Sequence, residues 1–285
     1  MEGPGAAVAI LVVALAIGGG TAGAWIRRPP APPTSPARLP WDLADAARRQ
    51  ITILSGQAAV AVTALVLLVT LVRQSTGAGS ATTIAGQSFN TTVAMVLIAF
   101  LSFVGAAVQF VNLPIEGGAE GTDLPRWLYL LASNQHFRTL FLAWLALKPL
   151  VETFGLHEPA TILSWVLGSV AMAAWLIIAS VAYRLGILAR REAFGVPAAG
   201  LAVALAAGVV LRLGPVVGHE ADAVLALTLG LFGLNVVAFL CSALVPLALE
   251  GRAVPQSFGT AGRLWALLDL QASVVILALI WLMVL

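Results

Sequence analysis

The chain has 285 residues, of which 60% are hydrophobic and 10% are charged, and its mean hydropathy is +0.98. Soluble domains carry roughly 25% charged residues, so this composition excludes an ordinary water-facing surface and predicts an integral membrane protein. The net charge is only +2, and no Lys/Arg run is interleaved with aromatic residues, which argues against nucleic-acid binding. The single cysteine, Cys241, excludes an intramolecular disulfide and a two-cysteine metal site. We expect no metal and no other cofactor.

Apolar segments recur along the whole chain at lengths near the roughly 20 residues that a helix needs to cross the hydrocarbon. None of them alternates polar and apolar residues as a transmembrane barrel strand does. The sequence therefore predicts an all-α, polytopic transmembrane helix bundle that forms a single integral membrane domain over residues 1–285. The predicted spans lie near 5–24, 52–72, 92–113, 130–152, 160–183, 196–216, 222–248 and 264–284.

The first span also resembles a secretory signal, because residues 22–24 (Ala-Gly-Ala) are typical of a cleavage site. Its leading residues 1–3 carry no positively charged side chain, however, and Arg27 and Arg28 follow it. This arrangement favours an uncleaved membrane anchor.

A proline-rich segment separates the first two spans. Residues 29–40 contain six prolines, which favour an extended, polyproline-like conformation. We predict a strap over residues 25–50 that ends in a helical lead into the second span. Within that lead, Asp45 precedes Arg49 by four residues, a spacing that stabilises a solvated helical turn.

The arginines predict the orientation of the chain. Eleven of the 15 basic residues fall in the connections that follow the first, third, fifth and seventh spans, and only Arg73 falls on the opposite side. Because positively charged connections stay in the cytoplasm, both termini are predicted to be extracytoplasmic and the strap to be cytoplasmic. The eleven are Arg27, Arg28, Arg38, Arg48, Arg49, Arg126, Arg184, Arg190, Arg191, Arg252 and Arg263.

Residue usage suggests the source and the partners. Lys148 is the only lysine, and the chain is rich in Ala, Val and Gly, which is typical of a high-GC bacterial genome. We therefore expect a multi-pass protein of the bacterial inner membrane, surrounded by lipid. Small residues four apart, at Gly19 and Gly23 and again at Ala226 and Gly230, predict close backbone contact between helices or with another subunit. The partner could be a second copy of the chain or a different membrane subunit.

The span 130–152 has the most polar helix face. Six of its residues recur at intervals of three and four, so they line one face, which should point into the bundle or a wet cavity. An alternative is that the outer charges extend to the membrane surface, and that Arg138 is interfacial if the helix begins at Phe137. The six are Asn134, Arg138, Phe141, Leu145, Lys148 and Glu152.

Polar residues of several spans fall at similar depth on the predicted cytoplasmic side. We predict that Arg138 pairs with Asp269 at the base of a polar pocket open to the cytoplasm, because an unpaired charge there is strongly disfavoured. Interhelical hydrogen bonding alone is the competing interpretation, at about 0.6 kcal/mol per contact. The other candidate pathway residues are Gln57, Gln109, Asn112, Asn134, Asn235 and Gln271.

A second polar cluster is predicted at the outer surface. Its histidines and carboxylates match no recognised metal-ligand spacing, so solvation of the loops is the favoured interpretation. Its main members are Lys148, Glu152, Arg212 and His219.

No arrangement of residues predicts catalysis, since the sequence has no HExxH motif, no phosphate-binding glycine loop and no nucleophile beside an intramembrane histidine. We therefore favour passage of a small solute or ion over an enzymatic role. The alternative is a non-catalytic subunit or scaffold of a larger membrane complex, and an intramembrane transferase ranks third.

Overall fold

The structure is a computed structural model that describes residues 42–75, 83–84, 87–116, 124–152, 157–213, 220–249 and 259–284. These residues form seven long helices and one short hairpin. The helices are α1 (Leu43–Ser75), α2 (Phe89–Glu116), α3 (Leu124–Glu152), α4 (His157–Arg184), α5 (Val196–Leu213), α6 (Glu220–Leu249) and α7 (Gly259–Val284).

The helical prediction is confirmed. Each predicted span from 52–72 onward lies within one helix, except that 214–216 falls outside the described residues, as do the span 5–24 and the strap up to residue 41. In the connection that follows the second predicted span, Thr83–Ile84 and Gln87–Ser88 form a short antiparallel hairpin with two residues in each strand.

Within the part of the chain that the structure describes, five helices are long and apolar enough to cross a membrane, namely α1, α2, α5 with the turn before it, α6 and α7. The helix α3 is not among them, because its sequence carries too many polar side chains. In α4 the apolar stretch Gly168–Arg184 is shorter. The number of spans and the orientation of the termini therefore stay predictions.

Hydrogen bonds fix the start of α1. The Asp42 carboxylate accepts a bond of 2.8 Å from the Ala44 N–H and thereby caps an otherwise unpaired donor. One turn on, Arg49 donates to Asp45 at 2.7 Å, as the spacing predicted. Both side chains of this pair are exposed, so it contributes little to stability.

A tight connection joins α4 to α5. The helix α4 ends at Arg184, and Gly186 follows with φ of +74°, a left-handed conformation that glycine adopts without strain. The chain then forms one π-helical turn over Arg191–Gly195 before α5 begins. Pro197 is the second residue of α5, and a proline ring in a regular α-helix would clash with the carbonyl four residues earlier, which here lies in the π-helical turn.

The helix α3 lies at the centre of the bundle. It contacts α1, α2, α4, α6 and α7, whereas α1 packs mainly on α2 and α3 at one edge. Most of α7 is also buried, including every residue from Leu270 to Ile280. Because α3 is surrounded by protein, it can carry polar side chains that would be disfavoured against acyl chains.

Glycines allow α7 to pack closely against its neighbours. A methyl group added at Gly200 or Gly208 of α5 would overlap Gln271 or Leu282 of α7, and one added at Gly168 of α4 would overlap Trp281. Close packing had instead been predicted for Gly230, where an added Cβ meets no atom within 4 Å. Gly230 lies on an exposed face of α6, so no described helix packs closely on it, and its predicted contact with another subunit stays a prediction.

We predict that Gly200→Ala destabilises the fold. Gln271 is fully buried and has no solvent to move into, so overpacking of this kind should cost about 1–3 kcal/mol. Thermal aggregation of the detergent-purified protein, followed by gel filtration, measures the change as a lower midpoint. Gly230→Ala is the matched control and should leave the midpoint unchanged or raise it. Equal midpoints for the two variants would contradict the close contact between α5 and α7.

Candidate functional site

The candidate site is built around Arg138, which lies midway between the ends of α3 at Leu124 and Glu152. At 1.5 Å per residue it is about 20 Å from either end of the helix, well beyond the reach of its own side chain. Its exposed fraction is 0%. The helix begins at Leu124 and not at Phe137, so the condition under which the sequence would place Arg138 at the interface is not met.

Arg138 forms an ion pair with Asp269 of α7. The Arg138 Nη1 atom lies 2.6 Å from Asp269 Oδ1, and both side chains are buried. The pairing expected from the sequence is therefore present. Charge-assisted hydrogen bonds of this length are among the strong ones in proteins. Removal of either side chain should destabilise the fold, because the buried charge that is left alone carries a large desolvation penalty.

Neutral side chains complete the surroundings of the pair. Asn235 of α6 accepts from Arg138 Nε at 2.6 Å, and Asn134 donates to Asp269 Oδ2 at 2.6 Å. The Ser273 hydroxyl accepts from Arg138 Nη1 at 3.0 Å and donates to the Asp269 backbone carbonyl at 2.6 Å. Ser273 lies one turn after Asp269 on α7. Its bond to the Asp269 carbonyl uses the hydroxyl hydrogen, so the lone pairs of the Ser273 oxygen are directed toward the Arg138 guanidinium.

The contacts continue into α2. Asn235 donates to the Ser102 hydroxyl at 3.2 Å. The side-chain amides of Gln109 and Gln135 lie 2.7 Å apart, and Gln135 also approaches the Ser102 carbonyl at 3.3 Å. We call these side chains together the buried polar network, which joins α2, α3, α6 and α7. Its members are Ser102, Gln109, Asn134, Gln135, Arg138, Asn235, Asp269 and Ser273.

Two atoms in the network are buried without a hydrogen-bond partner. They are Nη2 of Arg138, a charged donor, and Oδ1 of Asn134, an acceptor. An unmade hydrogen bond in a dry interior costs about 1–3 kcal/mol for a neutral group and more for a charged one. The network therefore retains one free donor and one free acceptor for an additional polar group.

The network is closed. Arg138 and Asn235 are in direct contact, and Asp269 is 7% exposed. Among the described residues, the side chains around Arg138 pack on one another, so the expectation of a pocket open to the cytoplasm is not met there.

The predicted pathway residues do not all meet. Gln109, Asn134, Asn235 and Asp269 join Arg138, as expected. Gln57 instead lies at 3.0 Å from His136 Nε2, and His136 is two residues from Arg138, so it points about 200° away around α3.

Two further predicted pathway residues lie beside the network rather than in it. Asn112 is half-buried on α2, and the bonds described above do not include it. Gln271 is fully buried against Gly200.

Sequence reasoning did not include Ser102, Gln135 or Ser273 among the candidate site residues. Ser273 follows Asp269 by four residues on the same face of α7, a spacing that was available in the sequence. Gln135 directly follows Asn134, yet adjacent helical residues point about 100° apart. Only the position of α2 beside α3 shows that Gln135 also faces the network.

The predicted outer polar cluster stays a prediction. Lys148 is half-buried near the end of α3. His219 and the side chains of Glu152 and Arg212 lie outside the described residues.

A second ion pair holds the π-helical turn to α7. Arg263 Nη2 donates to both carboxylate oxygens of Glu192 at 2.9 and 2.8 Å. Glu192 also accepts from the Ala189 N–H at 2.8 Å. These groups are partly buried at the predicted cytoplasmic end, and Arg263 lies less than two turns before Asp269 on α7.

Comparison with protein-family models, with curated proteins and with solved structures found no match to this chain. Apart from the short hairpin, the described chain is helical, and several of its helices are apolar enough to span a membrane.

We predict that Arg138 and Asp269 are energetically coupled. Arg138→Met leaves a carboxylate that can take up a proton, whereas Asp269→Leu leaves a guanidinium that cannot lose one. Each change should lower the free energy of unfolding by about 3–5 kcal/mol, with the larger loss for Asp269→Leu. Unfolding by SDS titration measures both, and the double variant should lose clearly less than the sum.

Arg49→Met serves as the control for loss of an arginine. Its partner Asp45 is exposed, so the expected loss is at most about 0.5 kcal/mol. Additive losses in the double variant of Arg138 and Asp269 would show that the pair is not coupled.

Proposed function

We propose that the protein moves a small polar solute or ion across the membrane, and that the buried polar network is its closed gate. The observation that carries this proposal is the unpartnered Nη2 donor of Arg138 in a fully buried guanidinium. Ionisable residues inside membrane-spanning bundles commonly mark the path of an ion or a polar substrate. A solute with a hydrogen-bond acceptor would satisfy this donor.

The network supports a gate because its bonds join separate helices. Arg138 links α3 to α7 through Asp269 and to α6 through Asn235. Separating these helices without compensation would leave charges unpaired, which keeps the path closed. A solute that bonds to Arg138 or Asn134 in an open state lowers the free energy of that state relative to the closed one. Such a difference in affinity is what a ligand needs to shift a conformational equilibrium.

A second candidate function is a non-catalytic membrane subunit or scaffold. It is favoured by the direct 2.6 Å contact between Arg138 and Asn235, which leaves no room for a solute between them. In that case the network serves only to set the positions of α2, α3, α6 and α7.

Water access to the network separates the two functions. In a Cys241→Ser background, Ser273→Cys places a thiol beside Arg138, and Ala278→Cys places one in the fully buried apolar part of the same helix. If the gate opens, a membrane-impermeant maleimide should label Ser273→Cys in proteoliposomes about tenfold or more faster than Ala278→Cys, since labelling requires a transient open state.

Arg190→Cys, at an exposed position, is the positive control for reagent activity. Circular dichroism and gel filtration check that each variant is folded. Equal labelling of Ser273→Cys and Ala278→Cys would contradict a gate and would support the subunit function, as would co-purification with a stable companion protein.

A further inference from the structure

The opposite side of α3 from Arg138 carries a different kind of surface. A groove of about 490 Å³ lies between α1, α2, α3 and α4, and its walls are almost entirely apolar. Gly56 and Ala61 of α1, Phe103 of α2, and Ala143 and Trp144 of α3 are among its lining residues. This volume lies within the roughly 300–1,000 Å³ typical of small-molecule sites. We call it the apolar groove.

A smaller, more polar cavity continues from the groove. Its volume is about 200 Å³, and Gln50, Tyr129, Ser133 and His136 contribute hydrogen-bonding side chains to its lining. We call it the polar chamber.

The two cavities are adjacent. Phe137, Leu140 and Ala174 line both of them. Gln57 lines the groove and His136 lines the chamber, and these two side chains contact each other at 3.0 Å. We call the two cavities together the cleft. It has one hydrogen-bonding end and one apolar end, which matches an amphiphile with a small head group.

The groove opens on the apolar outer surface of the bundle. Three of its lining residues are strongly exposed: Ile53 at 49%, Val60 at 69% and Val170 at 61%. In a membrane such side chains face acyl chains, so a ligand dissolved in the bilayer could enter sideways without crossing water.

The absence of charged side chains in the lining favours a ligand with a neutral head group. No Asp, Glu, Lys or Arg is among the described residues that line either cavity. A phosphate, a carboxylate or an ammonium head would therefore lose its hydration without gaining an opposite charge. Gln50 is one of the side chains that line the chamber, and its Oε1 acceptor is buried without a hydrogen-bond partner. A hydroxyl group supplies the missing donor and carries no charge.

We propose that this cleft binds a single-tailed lipid alcohol, with its hydroxyl in the polar chamber at Gln50 and its alkyl or isoprenoid tail in the apolar groove. This site is separate from the buried polar network, so it goes beyond the proposed function and does not depend on it.

Photo-crosslinking tests the site directly. The full chain is placed in phospholipid nanodiscs with a sixteen-carbon alcohol (about 20 Å long as an extended chain) that carries a diazirine in its tail, and the labelled residues are mapped by mass spectrometry. We expect labels on the facing sides of α1, α3 and α4. Unlabelled hexadecanol should compete at least about tenfold better than hexadecanoate or hexadecyltrimethylammonium, because the lining offers no opposite charge.

Two variants show whether the cleft itself is occupied. Gly56→Leu projects a side chain into the groove, where an added Cβ meets no atom within 4 Å, and should reduce labelling at least about fivefold by filling the site. Gly230→Leu on α6 is the matched control, because it too has open space around it, and it should leave labelling unchanged. Gln50→Leu should weaken competition by hexadecanol about two- to tenfold, the equivalent of one lost hydrogen bond.

Three results would overturn the proposal. Labels spread over the whole lipid-facing surface and insensitive to Gly56→Leu would mean that the cleft is not a site. Equal competition by the alcohol, the carboxylate and the ammonium would exclude recognition of a neutral head. Equal competition by added phospholipid would identify an ordinary acyl chain as the occupant. Gel filtration confirms that Gly56→Leu is folded, and Ala143→Leu, on the facing wall of the groove, gives an independent block.

Discussion

A guanidinium in the middle of a long helix cannot be left against acyl chains, and much of this bundle can be understood from that constraint. Arg138 is too far from either end of α3 to reach water, and its charge persists under all ordinary conditions. The helix that carries it must therefore be enclosed by others, and the structure places α3 in contact with five helices. Asp269, Asn235 and Ser273 then supply the negative charge and the acceptors that a buried cation requires, and Asn134 donates to the carboxylate of Asp269. Enclosure in turn explains why α3 can be less apolar than the five helices that could span a membrane by composition alone.

The two sides of α3 have different physical characters because residues two apart on a helix point in nearly opposite directions. Toward α6 and α7, Arg138 lies in a packed and hydrogen-bonded environment, apart from one free donor on Arg138 and one free acceptor on Asn134. Toward α1 and α4, His136 and Trp144 border a cleft that opens to the apolar exterior. The first side is suited to a gate or to fixing the relative positions of the helices, and the second side is suited to a lipid-soluble ligand. One central helix can thus support a polar site and an apolar site that share no side chain.

Close packing around α7 depends on glycines that no local motif identifies. Gly168, Gly200 and Gly208 have α7 side chains where their own Cβ atoms would lie, whereas Gly230, which forms a small-residue pair with Ala226, faces open space. Spacing of small residues shows that one face of a helix can be approached closely, but it does not show whether a neighbour is present. The same reason explains Gln57, whose depth resembles that of Arg138 but whose position on α1 directs it to His136 instead.

The sequence by itself determined the helices and the residues that needed shelter. Apolar runs near 20 residues predict helices at 52–72 through 264–284, because backbone hydrogen bonds within lipid must be made inside each segment. The cost of a buried charge likewise singled out Arg138 and Asp269. Only the tertiary structure decided which helices are neighbours and how each is rotated about its axis. Those choices placed Gln135 and Ser273 in the network, moved Gln57 to the cleft and closed the expected pocket. They depend on packing between residues far apart in the chain, and the periodicity of a single segment carries no information about its partner.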